Sequence, residues 1–123
     1  MNTNLTVSAL TFTQSFSDKG GSERRETSRG ATLPEIMTIK HQDAVDSASK
    51  RPITRSVLRF DRHVAMTDGS PSPVSAYVVV SAPKDAAVAS ADILAVIARI
   101  VSVLDDTSPN LDLGSAIFVN KEQ

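Results

Sequence analysis

Val74-Ser75-Ala76-Tyr77-Val78-Val79-Val80-Ser81-Ala82-Pro83, followed by Lys84-Asp85 and an apolar run from Ala86 to Leu104, is the stretch that decides the fold. The β-branched residues between Val74 and Ala82 predict a strand. Within Ile93 to Leu104 only Arg99 and Ser102 are polar. A helix on the outside of a small monomer needs one apolar stripe. This one is apolar around most of its circumference, which predicts cover on more than one side. The helix starts at Asp85 or Ser90, both good N-cap residues, and ends near Asp105-Asp106, with Pro109 preventing continuation. Twenty residues would make a rod of about 30 Å. The acidic pair opposes the helix macrodipole, at about 0.5 kcal/mol each if exposed. Leu111 to Val119 forms a further short apolar segment that predicts a turn of helix.

Upstream, Leu5 to Phe16 alternates, with Leu10, Phe12 and Phe16 on one face and Thr11, Thr13 and Ser15 on the other. That period of two predicts a half-buried strand. Ser17-Asp18-Lys19-Gly20-Gly21 is a turn signal. Ser22 to Arg29 is highly polar and is either the returning arm of an exposed hairpin or a loop. Leu33 to Gln42 predicts a second strand, with Ile36, Met37 and Ile39 apolar and Thr38 and Lys40 polar. Asp43 to Ser49 reads as a polar connection. Ile53 to Met66 carries the longest strand signal. It places Arg55, Arg59 and His63 on one face and Leu58, Phe60 and Val64 on the other. Thr67 to Pro73 reads as a loop, since its prolines cannot donate to a ladder.

Strands followed by a helical tail describe an α+β fold: an N-terminal β-hairpin, an antiparallel β-sheet, then one long and one short C-terminal helix. The 123 residues fit one domain, with the hairpin at 1–30, the sheet at 31–82 and a helical dimerisation segment at 83–123. The helix either folds back on its own sheet or crosses onto a partner's. Its wide apolar surface, with no second long helix to cover it, favours the partner. Ile93, Val96, Ile97, Ile100, Val101 and Leu104 would form that interface.

Composition sharpens the same question. Hydrophobic residues make up 41% of the chain but aromatics only 4%, so the core must be built from Val, Ile, Leu and Ala. Small core residues bury modest area, for which burial against a partner is a common remedy. There is no cysteine, which excludes disulfides and thiolate metal sites and fits a reducing compartment. The N-terminus lacks the pattern of a secretory signal. Asp92 and Arg99 argue against a membrane-spanning role for Ala86 to Leu104.

Net charge is −1, which taken alone argues against nucleic acid. The charge is segregated, however: Lys50 to His63 sums to about +4 and Asp85 to Gln123 to about −4. No catalytic constellation is visible. His41 and His63 lack metal-ligand spacing and predict surface or hydrogen-bonded histidines. Gly20-Gly21 belongs to a turn, and Gly114-Ser115 lacks the setting of a nucleophile elbow. Neither an enzyme nor a metal or cofactor is expected. The basic sheet face is what remains: Arg55 and Arg59 on one strand, Lys40 on a neighbour and Tyr77 nearby. An aromatic among cations is the layout that stacks an unpaired base and holds phosphates. The alternative is a solvated face whose arginines pair with Glu35, Asp61 or a neighbouring subunit.

Asp68-Gly69-Ser70-Pro71-Ser72-Pro73-Val74-Ser75-Ala76-Tyr77-Val78-Val79-Val80, the capped helix after Asp85 and Gly114-Ser115-Ala116-Ile117 together resemble a known family. The chain resembles the levivirus-type coat proteins of single-stranded RNA bacteriophages, over most of its length and through short strings. The stretch before the basic strand is shorter than is usual in that family. The resemblance implies an intertwined dimer with one continuous sheet, assembling into an icosahedral, virus-like shell. The sheet would face packaged single-stranded RNA, and the protein would reside in the virion. It also implies that Tyr77 stacks on a base of an RNA hairpin, with Thr38, Lys40, Arg55 and Arg59 as further RNA contacts and translational repression as a possible outcome. Asp68, Gly69, Ser70 and Pro71 would lie in a loop between dimers. The other reading of the residues is a small dimeric α+β nucleic-acid-binding module that forms no shell.

Overall fold

A computed structural model describes residues 4–105 and 113–121. Six strands, β1 (Asn4–Val7), β2 (Leu10–Ser17), β3 (Gly21–Glu26), β4 (Glu35–Val45), β5 (Pro52–Ala65) and β6 (Pro71–Pro83), are followed by α1 (Ser90–Leu104) and α2 (Leu113–Phe118). The strands form one antiparallel sheet in sequence order. The chain divides into two compact units, Met1–Lys84 and Asp85–Gln123, two residues beyond the expected boundary between sheet and helices.

In the first unit the expected single strand from Leu5 to Phe16 is two strands. Ser8 and Ala9 form the turn between them, with φ of 50° and 64°. A two-residue hairpin of the primed type requires positive φ at both positions, usually supplied by Asn-Gly. Ser-Ala carries no such signal. Ser22 to Glu26 belongs to the returning arm, β3, but that arm is interior to the sheet rather than exposed. Arg24 and Glu26 are both buried on it. Arg24 Nη1 donates to Ser22 Oγ at 2.7 Å, and Glu26 Oε1 accepts the Ser28 N–H at 2.7 Å. Hydrogen bonds from Ser28, side chain first and backbone second, hold the Glu26 carboxyl below its ordinary pKa.

The turns follow local chemistry. Asp18 Oδ1 accepts from the N–H groups of Gly20 and Gly21, each at 2.8 Å. Gly21 is needed for space, because a Cβ there would lie 2.5 Å from the Ile39 carbonyl oxygen. Asp43 to Val45, expected in a connection, continues β4, and the reversal lies between Asp46 and Arg51. Asp46 Oδ2 accepts from the Ser49 hydroxyl at 2.6 Å and from its N–H at 2.8 Å. The loop before β6 is shorter than expected, because Pro71 and Pro73 lie inside the strand. β6 is the last strand of the sheet, and an edge strand tolerates residues that cannot donate outward.

Strand register divides the side chains between two faces. Leu5, Leu10, Phe12, Met37, Ile39, Leu58, Phe60, Val78 and Val80 share one face. Phe12 is buried there with Met37, and its ring meets that of Phe60 edge-on at 5.7 Å and 77°. β2 and β5 are three strands apart, about 14 Å in a flat sheet at about 4.8 Å per strand. The first hairpin therefore folds over this face. That fold-over accounts for the burial of Arg24, Glu26 and Met37 beneath it.

In the second unit, α1 is shorter than the expected twenty residues. Its N-cap is Ala89 rather than Asp85 or Ser90. Ala89 has no side-chain acceptor, but Asp92 reaches back and accepts the Ala89 N–H at 3.0 Å, one half of a capping box. Asp85 instead closes the preceding turn through Ala87 at 2.8 Å, which leaves Ser90 as the first helical residue. The helix ends at Asp105, whose N–H bonds the Val101 carbonyl. Asp106, Pro109 and the Leu111–Asp112 start of the last apolar segment lie outside the described residues. α2 falls within that segment. No helix among the described residues is long and apolar enough to cross a membrane.

Candidate nucleic-acid interface

The second sheet face carries the candidate site. Glu23 pairs with Thr38, Thr38 with Arg59 and Arg59 with Tyr77, so these four residues form one row across four strands. Cross-strand partners share a face, roughly 5 Å apart. One row along, Gly21, Lys40, Val57 and Val79 line up, and Gln42, Arg55 and Ser81 form the row after that. Thr38, Lys40, Arg55, Arg59 and Tyr77, singled out on separate strands, thus converge on one face. Tyr77 is 64% exposed, so its ring is open to stacking.

The charges on this face are unequal in availability. Arg59 Nε pairs with Asp61 Oδ1 at 2.9 Å, and Arg59 Nη2 donates to Ser75 Oγ at 3.3 Å. The Ser75 hydroxyl also donates to Asp61. Partial burial pushes the Asp61 carboxyl up, but hydrogen bonds from Ser75 and Arg59, with the charges of Arg59 and His63, outweigh it. They hold the group below its ordinary value. The expected pairing of Arg59 with an acid is therefore present alongside the basic face. Lys40 and Arg55 are exposed and hold no ion pair among the described residues. Among the described residues they are the free cations of the face.

Both histidines are hydrogen-bonded, as expected. His41 Nδ1 lies 2.9 Å from Ser56 Oγ, and His63 Nδ1 donates to the Pro34 carbonyl at 3.1 Å. No cluster of His, Cys, Asp or Glu fit to hold a metal occurs among the described residues.

Sequence reasoning missed Phe16. Alternation assigns it to the Phe12 face, but a register shift between Gln14 and Phe16 places it opposite Glu23, on the Tyr77 face. One extra residue flips every side chain beyond it. The alternation is unbroken from Leu10 to Phe16, so nothing local marks the bulge. Phe16 is 56% exposed. It borders a pocket of about 480 Å³ that Gly21, Glu23, Thr38, Lys40 and Gln42 also line.

The loop residues Asp68, Gly69 and Ser70 form the tip of the β5–β6 hairpin, and Pro71 opens β6. Gly69 takes a φ of 87°, and Asp68 Oδ1 accepts from the Ser70 hydroxyl at 2.6 Å and its N–H at 2.9 Å. Those bonds hold the Asp68 carboxyl below its ordinary value. On α1 no residue is buried. Ile93 and Ile97 are half-buried, while Val96, Ile100, Val101 and Leu104 are exposed, as is Leu94, which the sequence reading passed over. Arg99, Ile100, Val103 and Leu104 line a groove of about 310 Å³ with Ile117 and Phe118 of α2.

No protein-family model matches this chain, and no curated protein does. Solved structures do. The bacteriophage EMS014 coat protein superposes with a TM-score of 0.61 at 21% identity, over 89% of this chain and 79% of that one. A virus-like particle of bacteriophage AVE015 gives 0.58 at 20%, over 80% and 71%. A virus-like particle of bacteriophage AVE019 gives 0.51 at 14%, over 98% and 93%. The strand order, the long helix and the short one are common ground, and the fold is that of levi-like bacteriophage coat proteins.

Proposed function

We propose that this chain is a capsid subunit that dimerises, assembles into an icosahedral shell and packages single-stranded RNA. The observation that carries the reading is the fold shared with coat proteins solved as virus-like particles. α1 supports the dimer step. A fifteen-residue helix is marginal in water without tertiary packing. This one leaves Leu94, Val96, Ile100, Val101 and Leu104 exposed. Packed against a second subunit, each such side chain contributes about 1.5–3 kcal/mol when fully buried. β6 is the last strand of the six in the described sheet, and an edge strand offers a second subunit a ladder to pair with.

The RNA would lie on the face of Thr38, Lys40, Arg55, Arg59 and Tyr77. Lys40 and Arg55 hold phosphates, Tyr77 stacks on an unpaired base of a hairpin, and Arg59 exchanges Asp61 for a phosphate. Such hairpin binding at a start site would repress translation. Asp68 to Pro71 contact neighbouring dimers in the shell. Electron microscopy of the purified protein tests the reading. Shells eluting in the void volume with high absorbance at 260 nm are expected. Dimer-sized particles in every buffer would instead favour a binding module that forms no shell.

A further inference from the structure

The segment between β3 and β4, Thr27 to Pro34, is tied to the sheet by charged side chains at the end where the first hairpin folds over. We propose that Glu26, Glu35, Arg29 and Arg62 form a latch that holds this segment as a strap against the sheet, and that acid releases it. The latch is a property of the folded chain and stands apart from the RNA reading.

Register and contacts carry it. Glu26 pairs with Glu35 across β3 and β4, and Glu35 with Arg62 across β4 and β5, so two carboxylates stand opposite one another on the Phe12 face. Like charges in that position repel. Glu26 is only 7% exposed, and its Oε2 has no hydrogen-bond partner among the described residues. A carboxylate so placed needs compensation, and the strap supplies it. The Ser28 N–H donates to Glu26 Oε1 at 2.7 Å. Arg29 Nη1 lies 3.9 Å from Glu35 Oε1, which Arg62 Nε also approaches at 3.5 Å. Between these ties the strap closes on itself. The Gly30 N–H bonds the Thr27 carbonyl at 2.9 Å, the Leu33 N–H bonds the Gly30 carbonyl at 3.2 Å, and Gly30 takes a φ of 108°. Its far end is held by His63, whose N–H and Nδ1 both donate to the Pro34 carbonyl at 3.1 Å. Glu35 also lines a hollow of about 260 Å³ with Val7, Leu10 and Phe12 of the hairpin and Phe60, so the latch abuts the hairpin tip.

Glu26 is the trigger. The charged groups about it are Glu35 on β4, Arg62 on β5, Arg24 two residues back on its own strand, and Arg29 in the strap, while β1 and β2 contain no titratable residue. Hydrogen bonds from Ser28, with the Arg29 charge behind them, outweigh desolvation and hold the carboxyl below its ordinary 4.5. Its contribution to closure is therefore complete above about 4.5 and is lost as pH falls through the folded value. A neutral carboxyl accepts the Ser28 N–H more weakly and no longer attracts Arg29. The strap then lifts, and the hollow under the hairpin tip opens to water. His63 donates through Nδ1–H in either charge state, so the release belongs to the carboxylates and not to the histidine.

The test is amide hydrogen exchange of the intact protein from about pH 7 down to about pH 3, corrected for the intrinsic pH dependence of exchange. It is read on the peptide carrying Ser28, Gly30 and Leu33 and on peptides of β4 and β5. The strap should lose protection first, while the β4–β5 ladder keeps its own. The loss should reach about tenfold for each unit by which closure lowers the Glu26 carboxyl. Glu26→Gln keeps the shape and removes the charge, so it should open the strap at neutral pH and abolish the acid step. Arg29→Gln, at an exposed position, should loosen the strap several-fold at neutral pH and leave the acid step in place. Should Glu26→Gln fail to fold, the wild-type series and Arg29→Gln decide. Strap and ladder losing protection together would make the acid transition global and overturn the latch. So would a strap whose protection is unchanged across the range, or an acid step that survives in folded Glu26→Gln.

Discussion

The sheet and the long helix solve the burial of apolar side chains in opposite ways. The sheet folds its first hairpin over one face and shuts Phe12 and Met37 inside, with Phe60 against the Phe12 ring. Helix α1, with a richer run of apolar residues, buries none of them. A β-strand gains its hydrogen bonds from neighbours, so forming the ladder already brings side chains together. A helix satisfies its own backbone and gains nothing tertiary until a second surface arrives. Apolar content therefore says how much burial a segment needs. It does not say whether the same chain provides it.

The contrast breaks most visibly on the helix. Val96→Asp with Val101→Asp should abolish assembly altogether, since each dimer would bury four unpaired carboxylates. Light scattering after gel filtration should show monomers with the sheet's circular dichroism retained, whereas shells or dimers would remove α1 from the interface. In the sheet, Phe12→Ala should lower stability by about 3–5 kcal/mol, because it empties a closed site and strips Phe60 of its partner. Denaturant unfolding checks this, and a loss below about 1 kcal/mol would mean that the hairpin does not hold the core.

Tyr77→Ala, on the open face, should leave unfolding unchanged and weaken RNA hairpin binding by about 1–3 kcal/mol. Equal affinity for the variant removes Tyr77 from the interface. A smaller gain is expected at the first turn. Ala9 holds a φ of 64°, so Ala9→Gly should stabilise the protein by up to about 1 kcal/mol, read from the thermal midpoint.

The smallest effect concerns Asp61. Its folded pKa is lowered, so its contribution is complete above the unfolded value near 3.8 and is lost as pH falls through the folded value. Acidification should free Arg59 below that point while costing well under about 1 kcal/mol, as for other exposed pairs. A carboxyl-carbon NMR titration of Asp61 with a midpoint at or above the ordinary value would contradict this.

Much of the site was legible before any coordinates. Arg55, Arg59 and His63 alternate with Leu58, Phe60 and Val64, and Tyr77 alternates with Ala76 and Val78, so facing followed from parity alone. From Ile36 to His41 apolar and polar residues do not alternate strictly, so parity alone did not fix the facing of Thr38 and Lys40; the pairing of Thr38 with Arg59 does. Phe16 and β3 were not legible. A bulge is an extra residue relative to a partner strand, so it has no meaning within one strand's sequence. Arg24 and Glu26 read as solvent-exposed because charge normally predicts exposure. Their burial comes from a hairpin folding across them.

The sequence by itself determined the strand-rich first part, the helix that follows, which residues share a strand face, and the excess of apolar surface on α1. Those properties are set by periods of 2 and 3.6 residues, which are local. Only the tertiary structure decided that Ser8-Ala9 is a turn, that the first hairpin closes over Met37, and that Thr38, Arg59 and Tyr77 share a row with Phe16 near its end. Each depends on which strand lies beside which, and in what register, and pairing between distant segments leaves no periodic trace in either of them.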